Sequence, residues 1–217
     1  MKISGLFLLK GLTPEEMAGL TAAGRLTVRR YTRGEVILHA GTVTRAVGAV
    51  LSGAVLIESI GVTGDRALLG RVPAGQIFAE SYALAGAPLM VDAVCDADAE
   101  VAFLDIAPLL GDGAPEGADR VIAARLLTLA AKKNLGLSER IFCTSPRRVR
   151  ERVSIYLSGQ AARAGARHFR IPFDRRQMAD YLGVERTALS KELSRMRADG
   201  LIDYHKNEFT LPAGTEL

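Results

Sequence analysis

Residues 174–202, DRRQMADYLGVERTALSKELSRMRADGLI, have the pattern of two short helices joined by a tight turn. Asp174 is suited to cap the first helix, because its carboxylate can accept a hydrogen bond from an N–H group of the first turn. Gly183 follows that helix directly, where a turn requires a residue that tolerates positive φ. Gly200 closes the second helix, and the apolar pair at 201–202 begins a short strand. This order predicts a helix-turn-helix.

The predicted second helix separates apolar from polar residues. Leu189, Leu193 and Met196 fall on one side at helical spacing. The other side holds mainly short polar and basic groups: Arg186, Thr187, Ser190, Lys191, Glu192 and Arg195. A helix that enters the DNA major groove needs this division, because one stripe anchors it while the other reaches base edges and phosphates. A helical hairpin with a solvated charged face is the alternative, and the cap, the turn and the following strand favour DNA binding over it.

Composition and charge indicate a globular chain with a polyanionic partner for its C-terminal part. The 217 residues are 48% hydrophobic, which is enough for packed cores and excludes wholesale disorder. From Ser145 onward there are 14 basic against 9 acidic side chains, whereas the preceding residues have 14 against 15. The positive excess therefore lies around the predicted helix-turn-helix, where binding to phosphates would release counterions.

Cysteine usage and the absence of export signals point to the cytoplasm. Cys95 and Cys143 are far apart, so neither a CxxC motif nor a disulfide framework is expected. The apolar stretch at 3–9 is short and lacks a basic lead-in, and no run approaches the length of a membrane span. Neither GxSxG nor HExxH occurs, and no Ser-His-Asp arrangement is apparent, so an enzyme is not expected.

Short Val/Ile/Leu-rich runs alternate with glycine-containing turns in the first half of the chain. The predicted strands are 26–31, 36–40, 47–51, 54–60, 67–72, 91–95 and 100–104. Many short strands with regular turn signals, among them 52–53 and 63–65, predict a small antiparallel barrel or roll. Ahead of them, Thr13, Pro14 and Glu16 have the spacing of a capping box and predict a short helix.

A long helix is predicted from about residue 119 to about residue 142. Its coiled-coil positions are Ala123, Leu126, Ala130, Lys133 and Leu137. The stretch is long for a simple connector, and we expect it to pair with its copy in a second subunit. Packing against the barrel is the alternative, and the two uses are compatible.

The segments around the helix-turn-helix complete a winged helix. Ser145 and Pro146 predict a helix start, as cap and first helical residue. A short strand is expected at 168–172, and a hairpin at 201–204 and 208–211. The expected fold class is therefore α+β, in three parts: an antiparallel β-roll that senses a signal (1–115), a dimerisation helix (116–144) and a winged helix that binds DNA (145–217).

A roll, a long helix and a winged helix in this order resemble the CRP/FNR family of bacterial transcription regulators. The resemblance covers nearly the whole chain and is most specific at 174–202, at 34–55 (GEVILHAGTVTRAVGAVLSGAV) and at 75–81 (GQIFAES). It implies a cyclic-nucleotide-binding-like roll, a homodimer paired through the long helix, and an effector that changes how two DNA-reading helices are set. Such a pair would contact a pseudo-palindromic operator in double-stranded DNA. RNA polymerase is the expected further partner.

The family's base-contacting positions correspond to Thr187 and Lys191, accompanied by Arg186 and Ser190. Arg186 can donate to guanine O6 and N7, and Lys191 can donate to guanine or phosphate. Thr187 offers a methyl and a hydroxyl group instead of a carboxylate, so the common family half-site is not expected. Three residues at the start of the first helix are expected to hold backbone phosphates: Arg175, Arg176 and Gln177.

Three cofactors of the family are not expected. Relatives that bind cyclic AMP use a Gly-Glu pair for the ribose and an Arg-Ser pair for the phosphate, whereas this chain has Ala79-Glu80 and Met90-Val91. Two apolar side chains cannot neutralise a phosphate, and the neighbouring Asp92 would repel it. Two cysteines are too few for a four-thiolate iron–sulfur cluster within one chain. Haem is not expected either, since the candidate axial ligands are only His39, His168, His205 and Cys95.

The identity of the effector stays open. Candidate contacts in the roll are Glu80, Ser81, Met90 and Val91, although capping a loop or pairing with Arg71 is the favoured role for Glu80. On the long helix, Lys132, Lys133 and Asn134 interrupt the apolar stripe where effectors sit in relatives, and solvent or the second subunit are the alternatives. The alternative function is a small-molecule or cyclic-nucleotide receptor whose helical tail docks a protein.

Overall fold

The computed structural model describes residues 3–60, 66–111 and 113–212. The chain divides into two compact units, residues 1–130 and 131–217. Assigning 116–144 to a separate dimerisation segment is a statement about function, and this division does not test it. The turn predicted at 63–65 lies outside the described residues.

The first unit contains an antiparallel roll, as predicted. Its strands are β1 (Leu26–Tyr31), β2 (Val36–Leu38), β3 (Ala46–Ile60), β4 (Arg66–Pro73), β5 (Ile77–Phe78) and β6 (Asp92–Asp105). The sheet order is β1-β6-β3-β4, with β2 paired to β6 and β5 paired to β3. All pairings are antiparallel.

Two of the predicted breaks between strands lie inside long strands. The pairs 47–51 with 54–60 and 91–95 with 100–104 were expected as separate strands, but they form the continuous β3 and β6. Gly53 has a φ of +76°, and a Cβ there would lie 2.5 Å from the Asp98 carbonyl oxygen. The register between β3 and β6 shifts around this point, so the glycine forms a bulge rather than a hairpin turn.

Short helices cover one side of the roll. Helix α1 (Pro14–Ala22) begins with the predicted capping box, in which Thr13 and Glu16 bond each other's backbone N–H. Helix α2 (Glu80–Ala85) was not predicted, and it follows Ala79, whose φ is +61°. A 3₁₀ turn spans Ile3–Gly5 and another Ala107–Leu110.

Helix α3 (Gly117–Thr144) uses different faces along its length. In its first half, Ile122 and Leu126 are buried in the core of the roll unit. Leu126 therefore packs within its own unit. This agrees with the alternative in which the helix packs against the barrel. Beyond it, five large apolar side chains are 62–72% exposed: Leu127, Leu135, Leu137, Ile141 and Phe142.

The second unit is a winged helix, as predicted. It consists of α4 (Val149–Ala164), β7 (His168–Arg170), α5 (Arg175–Leu182), α6 (Arg186–Ala198), β8 (Asp203–His205) and β9 (Glu208–Thr210), with sheet order β7-β9-β8. The predicted helix start at Ser145 is wrong, because α4 begins after Arg148. The Ser145 hydroxyl and N–H both donate to the Ile141 carbonyl, so Ser145 completes the end of α3.

Candidate nucleic-acid interface

Helices α5 and α6 form the predicted helix-turn-helix. The Asp174 carboxylate accepts from the Gln177 N–H at 2.8 Å, and the Gln177 side-chain oxygen accepts from the Asp174 N–H at 2.9 Å. This reciprocal capping box satisfies two N–H groups at the start of α5. Gly183 ends the helix with a φ of +63°, and its N–H donates to the carbonyls of Ala179 and Asp180. The backbone can therefore turn directly into α6.

The inner sides of both helices are buried in the core of this unit. The anchoring residues, each at most 1% exposed, are Met178, Ala179, Leu182, Leu189, Leu193 and Met196. Burying six side chains along two helices fixes the rotation of each helix about its axis. Consequently the opposite side of α6 faces solvent.

Two arginines of α4 contact the helix-turn-helix and stabilise it. Arg152 donates to the carbonyls of Pro146, Leu182 and Gly183 at 2.7–2.9 Å, and so holds the turn. Arg150 pairs with Glu192 at 2.5 Å and with Asp199 at 2.8 Å. These hydrogen bonds, the one to Glu192 first, raise the pKa of Arg150. The sequence did not reveal these roles, because an arginine on an amphipathic helix has the same pattern whether it faces solvent or a carbonyl.

The cations of α6 fall into two groups. Arg195 lies 3.7 Å from Glu192, and Arg197 lies 2.8 Å from Asp203. Arg186 and Lys191 are exposed, and no carboxylate of the described residues lies within 4.0 Å of their side-chain nitrogens. Their charges are available to an external anion. Thr187 is exposed beside them, and Ser190 is half-buried.

The first turn of α6 is open to an anion. Glu185 is its N-cap, and the Glu185 side chain accepts no hydrogen bond from an N–H group of the first turn. The unpaired N–H groups and the helix dipole give this end a partial positive charge. The basic side chain of Arg186 lies at the same end.

The three residues predicted to hold phosphates have different surroundings. Arg176 and Gln177 are exposed, and the Gln177 capping bond leaves its side-chain NH₂ group to donate elsewhere. Arg175 is half-buried, with its guanidinium 5.1 Å from the centre of the Tyr204 ring and 5.9 Å from that of Phe209. Burial lowers the pKa of Arg175, and the nearby Tyr204 partly opposes this change. Its contact with the wing is visible, while a phosphate contact stays a prediction.

The candidate effector residues of the roll have unlike surroundings. Glu80 is only 4% exposed, and the Ser81 hydroxyl donates to its carboxylate at 3.2 Å. Met90 is 79% exposed and Val91 is half-buried. Asp92 is buried and accepts a hydrogen bond from the Ala40 N–H at 2.6 Å. An effector role for the four candidates, and the absence of cyclic AMP binding, stay predictions.

Other predicted features of the roll can be located. Arg71 was suggested as an ion-pair partner of Glu80. In the structure Arg71 forms an ion pair with Asp96 at 2.8 Å. The buried Cys95 thiol donates to the Ala97 carbonyl at 2.8 Å, and burial, with Asp98 and Glu35 nearby, raises its pKa. No cluster of three or more His, Cys, Asp or Glu suited to a metal ion occurs in the described part of the chain.

Lys133 and Asn134 are both exposed on α3. Neither lines the cleft between the end of α3 and α4, although the neighbouring Lys132 and Leu135 do. Their role toward an effector remains a prediction. A search of the described helices finds none that is long and apolar enough to cross a membrane.

Comparison with protein families finds two matches in this chain. Residues 28–110 match the cyclic nucleotide-binding domain, which covers the roll from β1 to the 3₁₀ turn after β6. Residues 151–217 match the Crp-like helix-turn-helix domain, which begins in α4 and includes α5 and α6.

The chain is also similar to individual proteins. The chain is 25% identical over 182 residues to electron transport regulator A of Shewanella oneidensis, spanning 79% of this chain and 69% of the relative. The structure of CprK in complex with OCPA is 12% identical, covers 89% of this chain and 88% of that one, and superposes with a TM-score of 0.58, which supports the fold. The catabolite activator protein of Thermus thermophilus is 24% identical with a TM-score of 0.49, covering 95% of this chain and 93% of that one.

Proposed function

Because the chain belongs to the CRP/FNR family and is a DNA-binding transcription regulator of that type, we propose that it acts as a homodimer whose two α6 helices contact one operator. The two helices enter the major groove about one helical turn apart and bind a pseudo-palindromic site. The regulator works in the cytoplasm, has no catalytic activity and contacts RNA polymerase at its promoters.

One observation best supports this proposal: α6 presents two exposed cations without a carboxylate partner in the described chain, on a helix whose opposite side is buried. Arg186 is assigned to guanine O6 and N7, and Lys191 to guanine or phosphate. Thr187 and Ser190 add hydroxyl contacts, and the Thr187 methyl group suits thymine. A carboxylate partner would have to be displaced before such contacts could form, and neither cation has one among the residues that the structure describes.

Phosphate contacts are assigned to the start of both helices. Arg176 and Gln177 are exposed at the start of α5, and the Glu185 side chain does not cap the first turn of α6. Both arrangements suit a backbone phosphate, which positions the protein without specifying sequence. Arg175 contributes mainly by holding the wing against α5, through its contacts with Tyr204 and Phe209.

The second half of α3 is the proposed subunit contact. Leu127, Asn134 and Ile141 are spaced by seven residues, and Leu137 lies between two of them at the other core position of a heptad. The three apolar members are exposed, so a second copy would bury them. A polar Asn134 within the stripe would favour one register and two strands.

An effector in or near the roll is proposed to control DNA binding. Glu80 and Ser81 at the start of α2 are the candidate contacts within the roll, Met90 and Val91 follow them in sequence, and Lys133 and Asn134 are candidates on α3. Such an effector changes operator affinity only if it binds one arrangement of the dimer better than another. Cyclic AMP, haem and an iron–sulfur cluster are not proposed as that effector.

Salt dependence of duplex binding tests the proposal against the alternative of a protein-docking tail. We expect the affinity for labelled duplex, measured by fluorescence anisotropy, to fall by about 10³-fold or more between 50 and 200 mM salt if six or more phosphates are contacted. The double variant Arg186→Glu/Lys191→Glu should lose this affinity. Arg33→Glu/Arg45→Glu, which reverses two exposed cations of the roll unit, is the control and should retain it. A chain without duplex affinity at low salt would support the alternative.

A further inference from the structure

A cleft in the roll unit lies between β1 and the segment that joins β2 to β3, and we call it the roll cleft. Tyr31 of β1, Leu38 of β2 and Phe103 of β6 form its apolar floor, and all three pack against the buried cluster around Val101. Its volume is about 420 Å³, within the range of about 300–1,000 Å³ that is typical of small-molecule sites. The roll cleft is therefore large enough for a small ligand.

The geometry of the sheet places a cation of the roll cleft beside two aromatic rings. Thr27, Arg29 and Tyr31 alternate along β1 and therefore share one face of the sheet. Phe103 is paired with Thr27 in the ladder between β1 and β6, so its ring lies on the same face. From the centre of the Phe103 ring, the Arg29 guanidinium carbon lies at 5.9 Å and the centre of the Tyr31 ring at 6.3 Å. A planar ligand here would contact both rings and a guanidinium.

The charged groups of the roll cleft favour an anion. Its lining contains Arg25, Arg29 and Arg45 together with the carboxylate of Asp105. Arg25 forms two hydrogen bonds with Asp119, at 2.8 and 3.1 Å, so its charge is balanced. Arg29 and Arg45 are exposed, and neither has a carboxylate within 4.0 Å among the described residues. Two cations without an ion-pair partner therefore face one carboxylate, which itself accepts a hydrogen bond from the 3₁₀ turn after β6.

The roll cleft is separate from the sites proposed above. Its lining includes none of the candidate effector residues Glu80, Ser81, Met90 and Val91. It also includes no residue of the proposed DNA contact or of the proposed subunit contact. A ligand in this cleft would therefore occupy a further site on the chain.

We propose that the roll cleft binds a small aromatic anion, a planar body with one carboxylate group. The carboxylate accepts two hydrogen bonds from Arg29, because the guanidinium fork matches its two oxygens. Arg45 adds a second positive charge from the segment before β3. The aromatic body lies against Phe103 and Tyr31, where offset or edge-to-face contacts stabilise it. This site does not depend on the proposed mode of DNA recognition, and its binding is measured without DNA.

The experiment is equilibrium dialysis of the full chain against 2-naphthoate, whose planar body and single carboxylate match the proposed chemistry and whose own fluorescence reports its concentration. We expect saturable binding with one site per chain. Arg29→Glu, which reverses the charge, and Thr27→Trp, which fills the cleft, should each weaken binding by about tenfold or more. Arg33→Glu reverses an exposed cation of the same unit that does not line the cleft, and its affinity should stay within about twofold of that of the unmodified chain.

The amine of the same aromatic body, 2-naphthylmethylamine, tests the charge preference. It should bind about tenfold more weakly than 2-naphthoate or not at all, because its ammonium group would lie beside Arg29. Equal affinity for the two probes would show that the cleft does not select an anion and would overturn the proposal.

Two further outcomes would overturn it. No saturable binding of 2-naphthoate at millimolar concentration would exclude an aromatic carboxylate as the ligand. Equal affinity in all variants, or an equal loss in Arg33→Glu, would mean that the probe binds elsewhere. Thermal melts establish that each variant is folded. Val43→Trp, on the exposed wall of the cleft, replaces Thr27→Trp if that variant does not melt cooperatively.

Discussion

Four cations of α6 show how an arginine or lysine that shapes the fold differs from one that is free to bind DNA. Arg195 and Arg197 have carboxylates at 3.7 and 2.8 Å, and Arg197 also lies 5.6 Å from the centre of the Tyr204 ring. Arg186 and Lys191 have no carboxylate partner among the described residues. The sequence predicted these two as DNA contacts, from the polar side of the helix and from the family positions that they resemble. The sequence could not show that Arg195 would lie beside Glu192, because the position of Arg195 on the helix also suits the exposed side.

Replacing Arg186 by alanine should weaken binding to the cognate operator by roughly 1–3 kcal/mol, because a bidentate contact to guanine is lost. The measurement is anisotropy on the operator and on a duplex with that guanine changed, where the variant should lose little. Arg176→Ala is the control. It should weaken binding to both duplexes about equally and reduce the salt slope by about 1, as expected for a phosphate contact. Unchanged operator affinity in Arg186→Ala would remove Arg186 from the recognition set.

The elements that sequence predicted well are those with a local physical cause. The helix cap at Asp174 and the positive φ at Gly183 depend only on neighbouring residues, and both are present. The bulge at Gly53 was predicted as a turn, because its cause is the close approach of Asp98 on another strand. Arg152 was missed for the same reason, since the carbonyls that it contacts are distant in sequence.

Removing the cap of α5 should destabilise the C-terminal unit. Asp174→Ala leaves a first-turn N–H without its acceptor and should lower the free energy of unfolding by about 1 kcal/mol. Urea unfolding followed by tyrosine fluorescence measures this difference. Glu185→Ala at the N-cap of α6 is the matched control, because Glu185 makes no capping bond, and its effect should stay within about 0.5 kcal/mol. Equal losses in both variants would contradict the assigned role of the capping box.

For the whole molecule, the second half of α3 is the element on which the proposed dimer depends. Its seam side holds Leu127, Leu137 and Ile141. The sequence predicted a long helix with a pairing stripe, but it placed Leu126 in the stripe. Only the tertiary structure shows that Leu126 is buried within the roll unit. The exposed seam therefore begins one residue later, at Leu127.

Charging the seam should separate the subunits. Ile141→Lys places an ammonium group where two apolar side chains would meet, and light scattering should then give the mass of a monomer. Leu69→Lys is the control, because Leu69 and Ile141 are both 62% exposed but Leu69 lies on β4. This variant should retain the mass of a dimer. A dimer that persists in Ile141→Lys, or an unmodified chain that is monomeric, would place the subunit contact elsewhere or exclude it.

The arrangement of bound DNA sequences tests the central claim most directly. Duplexes selected from a random pool by the full chain and then sequenced should contain two inverted half-sites, with centres about 10–10.5 base pairs apart. A guanine in each half-site should lose its enrichment when Arg186→Ala is used for the selection. Enrichment of a single half-site, of no sequence at all, or of the same guanine by Arg186→Ala would contradict a paired α6 that contacts bases through Arg186.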